Sequence, residues 1–206
     1  LESEGIKVYP TPKSLRIIQD KGAQKAFYKA HGIPTAPFEP FPSPALLATA
    51  VAEGRWTYPF VWKSTRFGYD GNGVKIVRNP QDLHALPEGP CIAELCADID
   101  KELAVIVARS PKGEVATYPV VEMEFHPEAN QVEYVLCPAR IAETISSQAR
   151  KIALQVAEAF GSIGLLAVEL FLTKGGEIWV NEVAPRPHNS GHYSIEASYT
   201  SQFEQH

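Results

Sequence analysis

The stretch "ELFLTKGGEIWVNE", from Glu169 to Glu182, constrains this chain more than any other. Two apolar runs flank Gly175 and Gly176, which is the composition of a β-hairpin with at least one buried face. If the two glycines form a two-residue turn, Lys174 opposes Glu177, and counting outward places Glu169 opposite Glu182. Like charges facing each other destabilise a sheet, and a buried unpaired carboxylate costs several kcal/mol or neutralises. Such a pair therefore calls for a cation or a shared proton. Magnesium suits it best, being a hard ion held by one or two carboxylates and completed by water and phosphate oxygens. The alternative is that one acid faces solvent, or that a wider turn shifts the register and separates the pair.

Glu169 also interrupts the longest apolar stretch, "GLLAVELFL", so no segment reads as a membrane-spanning helix. The formal charge of −5 argues against a nucleic-acid surface, while leaving room for a local basic pocket that takes a small anion. Cys91, Cys96 and Cys137 are odd in number and lack CxxC spacing, which points away from disulfides or zinc and toward a reducing, cytoplasmic setting. At 206 residues a sizeable core is expected, in one large or two small domains. The chain opens on Leu1, not Met, and is expected to be a fragment of a longer protein.

Helices announce themselves through Thr11-Pro12, Ser43-Pro44 and Asn79-Pro80, each a capping side chain followed by a proline pre-set for the first turn. The first helix is expected over 12–31, ending at Gly32 and Pro34. A further helix over about 144–160 carries Ile145, Ala149, Ile152, Val156 and Phe160 at helical spacing before Gly161. Strand-like runs lie between, several joined by short turns such as "SPKGE" and "TKGGE". The pattern is α+β with antiparallel sheets, and the Pro-rich "PTAPFEPFPSP" is placed to join two lobes.

Three further groups bear on chemistry. "KSTRFGYDGNGVKIV" sets Gly68, Gly71 and Gly73 between two strands, with Lys63 ending the first. Glycines so close together let backbone N–H groups approach phosphate oxygens, although Asp70-Gly71 is equally an ordinary turn and the Walker spacing is missing. After Glu182, "NEVAPRPHNSGHY" crowds Arg186, His188, Asn189, Ser190 and His192 into one loop. These donors suit a bicarbonate-like or phosphate anion, and the competing view is a stiff capping loop between Pro185 and Pro187. Glu94 and Glu102, in "CIAELCADIDKELAV", could accept from adenine and ribose, with the Leu95 and Ala97 backbone meeting the ring edge; taken alone, each is more simply a solvated edge acid. His126 reads as a turn residue unless the fold brings it to the phosphates.

Taken in order, "FVWKSTRFGYDGNG", "IAEL" with "DKELAVIVARS", "GLLAVELFL" and "VNEVAPRPHNSGHYSIEASYTSQFEQH" resemble the ATP-grasp domain of the N5-carboxyaminoimidazole ribonucleotide synthetase family. The resemblance spans nearly the whole chain. It implies a two-lobed ATP-grasp fold, divided as an entry segment and linker over 1–58, a small lobe over 59–99 and a large lobe over 100–206. It implies ATP-dependent carboxylation of 5-aminoimidazole ribonucleotide by bicarbonate through carboxyphosphate, and allows a homodimer of the full-length enzyme. By the same resemblance, Lys63, Gly68, Tyr69, Asp70, Gly71, Gly73, His126 and Asn181 would meet the ATP phosphates. Glu94, Leu95, Cys96 and Ala97 would meet adenine, and Glu102 ribose. Glu169 and Glu182 would carry Mg2+, and Arg186, His188, Asn189 and Ser190 would hold bicarbonate, carboxyphosphate or the ribonucleotide. Two departures stand out: Phe67 where the family's loop begins with glycine, and Ala184 where many ATP-grasp enzymes carry an Asn ligand. The amino-terminal and carboxy-terminal domains that flank the ATP-grasp portion in that family are expected to lie outside this sequence. Another ATP-grasp ligase and a non-catalytic nucleotide-binding module are the alternative readings.

Overall fold

The computed structural model describes residues 4–66, 73–125 and 132–206. The capping grammar holds where it was clearest. Thr11 accepts from Ser14 N at 3.2 Å to start α1 (Pro12–Ile18), and Ser43 from Leu46 N at 3.4 Å to start α3 (Pro44–Ala52). Asn79 accepts from Asp82 N at 2.9 Å to start α4 (Pro80–His84). The first helix, however, is two. Asp20 turns extended, caps α2 (Lys21–Ala30) by accepting from Ala23 N at 3.0 Å, and frees Lys21 N to donate to Thr65 O at 2.8 Å. A side chain that competes with the helix for its own backbone is what splits it.

Four antiparallel strands form the smaller sheet in the order β1 (Phe38–Phe41), β4 (Cys91–Leu95), β2 (Phe60–Ser64), β3 (Val74–Val77). Phe60, Trp62, Val77, Cys91 and Ala93 face α3 and α4 and bury with Leu47, Ala50 and Leu83. By the two-residue period of a strand, Val61, Lys63, Ile76 and Glu94 lie on the opposite face. The stretch 38–58 thus contributes β1 and α3 to this sheet.

The larger sheet runs β10 (Ile178–Ala184), β9 (Gly164–Thr173), β5 (Ile99–Arg109), β7 (Val121–Phe125), β8 (Val132–Leu136), with β6 (Val115–Thr117) paired to β5. Its apolar face packs on α5 (Glu143–Phe160). Leu103, Val105, Val107, Leu166, Val168, Leu170 and Val180 meet Ala149, Ile152, Val156 and Phe160, with Tyr28 of α2 closing the end. Alternation leaves Glu102, Glu169 and Phe171 on the other face, toward the smaller sheet.

The β9–β10 hairpin corrects the expected turn. Its loop holds three residues, Lys174 to Gly176, closed by Thr173 N donating to Glu177 O at 2.9 Å, with Gly176 at φ 83°. That offsets the pairing by one residue, so Ile178 faces Leu172 and Val180 faces Leu170. Before the acids can part, a β-bulge sets two residues of β10, Asn181 and Glu182, against Glu169, and beyond it Val183 faces Val168. The bulge recovers the juxtaposition that a two-residue turn would have produced, and places Asn181 and Glu182 both beside Glu169.

Candidate active site

Between the two sheets lies a cleft of about 1350 Å³. Lys63, Glu94, Leu95, Cys96, Ala97, Glu102, Glu169, Asn181, Glu182, Arg186, His188 and Asn189 all line it, so the structure gathers most of the residues singled out from the sequence. Gly73 stands outside, its carbonyl accepting from Ser64 N at 2.8 Å at the root of the β2–β3 hairpin. Ser190 is wholly buried behind the wall and does not line the cleft. Gly68, Tyr69, Asp70, Gly71 and His126 lie outside the described residues.

A chain of polar contacts crosses from the smaller sheet to the larger. Lys63 Nζ sits 2.9 Å from Glu94 Oε2 and donates to Asn181 Oδ1 at 3.0 Å. Asn181 Nδ2 donates to Glu169 Oε2 at 3.2 Å. The other oxygen of Glu169 lies 3.2 Å from His188 Nε2. His188 Nδ1 accepts from Ser190 N at 3.3 Å and lies 2.9 Å from Ser190 Oγ, an assignment that leaves Nε2 carrying the proton toward Glu169. Glu182 is engaged separately, its Oε2 2.6 Å from Lys21 Nζ. Each of the two acids thus has its own protein donor, Asn181 and His188 for Glu169 and Lys21 for Glu182.

Two expectations about the acids change. β4 lies between β1 and β2, so Glu94 is no solvated edge residue. It is 2 % exposed and clamped between Lys63 and Lys25, whose Nζ is 3.2 Å from Oε1. Burial pushes its carboxyl upward, but the two ammonium groups outweigh this and hold it below the ordinary value. That engagement makes it the counter-ion of the site's lysines before it is an acceptor for adenine. Glu102 is likewise interior, fourth in β5, which pairs with β9 and β7. Burial and then Glu169 raise its carboxyl to about 7. For Glu182 the cost of partial burial is overcome by Lys21 and then Lys63, which hold it below the ordinary value.

Lys21 and Lys25 were not foreseen. Lys25 is 2 % exposed, donates to Thr35 Oγ1 at 2.7 Å, and is lowered to about 8 by burial against the opposing pull of Glu94. The signal was present: with Asp20 read as a cap, Lys21 falls on the first residue of a helix, where the dipole disfavours a cation that has no partner. Lys25 follows one turn later on the same face.

In chemical terms the cleft offers an ammonium held in place by Glu94 and Asn181, oxygen donors from Glu169, Glu182 and Asn181, and the guanidinium of Arg186. Arg186 is exposed, donates to Pro187 O at 2.9 Å and has no carboxylate partner among the described residues. Val61, Ile76, Leu95 and Phe171 are among the apolar residues of the lining. Cations, hard oxygen donors and apolar lining together describe a site for a nucleoside polyphosphate. The sequence profile of the ATP-grasp domain matches residues 26–203. The chain belongs to the ATP-grasp family. Among curated relatives of this ATP-grasp domain, the phosphoribosylaminoimidazole carboxylase of Saccharomyces cerevisiae is 40 % identical over 208 residues, covering 98 % of this chain and 36 % of that protein. Among solved structures, N5-carboxyaminoimidazole ribonucleotide synthetase from Thermotoga maritima is 47 % identical with a TM-score of 0.86, over 100 % of this chain and 52 % of that one. The Aspergillus clavatus N5-carboxyaminoimidazole synthase, solved with ADP and 5-aminoimidazole ribonucleotide, is 34 % identical with a TM-score of 0.87, over 99 % of this chain and 54 % of that one. This ATP-grasp domain thus spans between about a third and about half the length of the relatives it matches.

Proposed function

We propose that this chain forms the ATP-binding portion of a cytoplasmic ligase that carboxylates 5-aminoimidazole ribonucleotide with bicarbonate, through carboxyphosphate. The observation that carries the reading is the single cleft in which Lys63, Asn181, Glu169 and Glu182 meet the Arg186–His188 loop, on a chain similar throughout to synthetases of that name. Glu169 and Glu182 would hold Mg2+, with Asn181 beside them; the donors are all hard oxygens, which fits the ion, and no cluster of three metal-binding side chains among the described residues offers a competing centre. Magnesium, when bound, neutralises charge on the ATP phosphates.

The protein's own part is positioning. Glu94 and Asn181 fix the Lys63 ammonium so that it meets a phosphate oxygen without first being ordered, which is where a preorganised site gains over water. Lys21, on the wall of the same cleft and 2.6 Å from Glu182, would add a second ammonium for the phosphates. Arg186 presents a planar fork to bicarbonate, and the Nε2–H of His188 offers a donor near the acids. Carboxyphosphate hydrolyses readily, so the walls of the cleft must also keep water away.

Calorimetric titration of ATP, with and without Mg2+, tests the reading. Binding should tighten with Mg2+ in the parent, and that dependence should vanish in Glu169→Gln and in Glu182→Gln. Unchanged Mg2+ dependence in both variants would refute the metal assignment.

A further inference from the structure

Gln202, the first residue of α7 (Gln202–Gln205), is completely buried. Its amide grips the backbone of His188 at two points: Oε1 accepts from His188 N at 2.9 Å, and Nε2 donates to His188 O at 2.9 Å. The grip is itself held. Ser194 Oγ accepts from Gln202 N at 2.9 Å and donates to Gly191 O at 2.6 Å, while Gly191 N donates to His188 O at 2.9 Å. A Cβ at Gly191 would fall 2.7 Å from Gln202 Cδ and closer still to Ile106 Cδ1, so only glycine lets the amide reach the loop.

The loop needs such a hold. His188 belongs to neither sheet, and the chain continues from it into a single 3-10 turn, Asn189–Gly191. An amide side chain presents the same donor and acceptor as a peptide group, so Gln202 does for His188 what a neighbouring strand does for Glu169. Ser190 then fixes the ring by its contact with Nδ1, and Nε2 is delivered to within 3.2 Å of Glu169.

We propose that Gln202 is a positioning residue for the reaction, setting the His188 imidazole through its backbone while touching neither nucleotide nor anion. The proposal rests on the reading of the Arg186–His188 loop as the bicarbonate end of the site. Displacing a reacting group by about 1 Å costs on the order of 100-fold in rate. The expected signature is therefore a kcat effect with KM for ATP left alone, since Gln202 does not line the cleft.

The test uses Gln202→Met, close in volume but without the amide, and Gly191→Ala, which displaces the amide without removing it. Hydrogen exchange and imidazole nitrogen resonances are followed by NMR, alongside bicarbonate-dependent phosphate release from ATP. In both variants the His188 amide should exchange at least about tenfold faster and its ring signals should move, with β9 amides unchanged; kcat should fall about 10- to 100-fold at constant KM for ATP. Unaltered His188 signals in Gln202→Met would overturn the proposal, as would β9 amides loosening to the same degree. If His188→Ala abolishes turnover while Gln202→Met keeps it, only the positioning role fails. If His188→Ala keeps full turnover, the reading of the loop itself fails.

Discussion

Replacing Glu102 by glutamine should stabilise the protein, by an amount that grows with pH. The carboxyl is largely shielded on the cleft face of the larger sheet, and on the adjoining strand Glu169 stands two residues from its partner Phe171, its negative charge opposing ionisation. Together, burial first and Glu169 second, these raise it from 4.5 to about 7, against a smaller opposing effect of Lys63. Below pH 4.5 the group is protonated whether the chain is folded or not, and contributes nothing. Between 4.5 and 7 the unfolded chain ionises while the folded one keeps its proton, so stability falls as pH rises. Above 7 the folded protein carries the full penalty, which for that displacement is about 3 kcal/mol. Glutamine keeps the shape and cannot ionise. Urea titrations should show Glu102→Gln ahead of the parent by less than about 1 kcal/mol at pH 5 and by about 3 kcal/mol at pH 8, with a higher midpoint and the same m. A difference that is flat across this range, or absent at pH 8, would refute the claim that Glu102 is held protonated by its surroundings.

Other perturbations have equally definite outcomes. Glu94→Gln leaves Lys25 and Lys63 buried without their counter-ion, and denaturant unfolding should report a loss of about 3–5 kcal/mol. Gly176→Ala meets no steric contact but must hold φ at 83°, so it should cost about 1–2 kcal/mol in the same assay. Glu122, bonded to Arg140 and Lys101, is lowered to about 2, chiefly by the Arg140 hydrogen bonds. Its contribution is complete above pH 4.5 and is lost as pH falls toward 2, so the parent should lose melting temperature faster than Glu122→Gln over that acid window.

What the sequence determined by itself was whatever short-range chemistry decides. Thr11, Ser43 and Asn79 cap because a side-chain oxygen and an N–H three residues on lie within one turn of each other. The antiparallel character of the sheets followed from short Gly-containing turns, and the meeting of Glu169 with Glu182 from the hairpin, even though a wider turn and a compensating bulge achieve it. Asp20 carried a local signal too, passed over when one helix was read from the Thr11-Pro12 start to the Gly32 stop. Tertiary structure alone decided which charges meet. Lys21 and Glu182 are 161 residues apart, and Lys63 and Asn181 are 118 apart; no pattern in a single chain encodes such distances. It also decided that Ser190 stands behind His188, and that Glu94 is sealed between two lysines on an inner strand. The reason is that burial and ion pairing depend on which surfaces close over a residue, and that closure is set by the packing of elements remote in sequence.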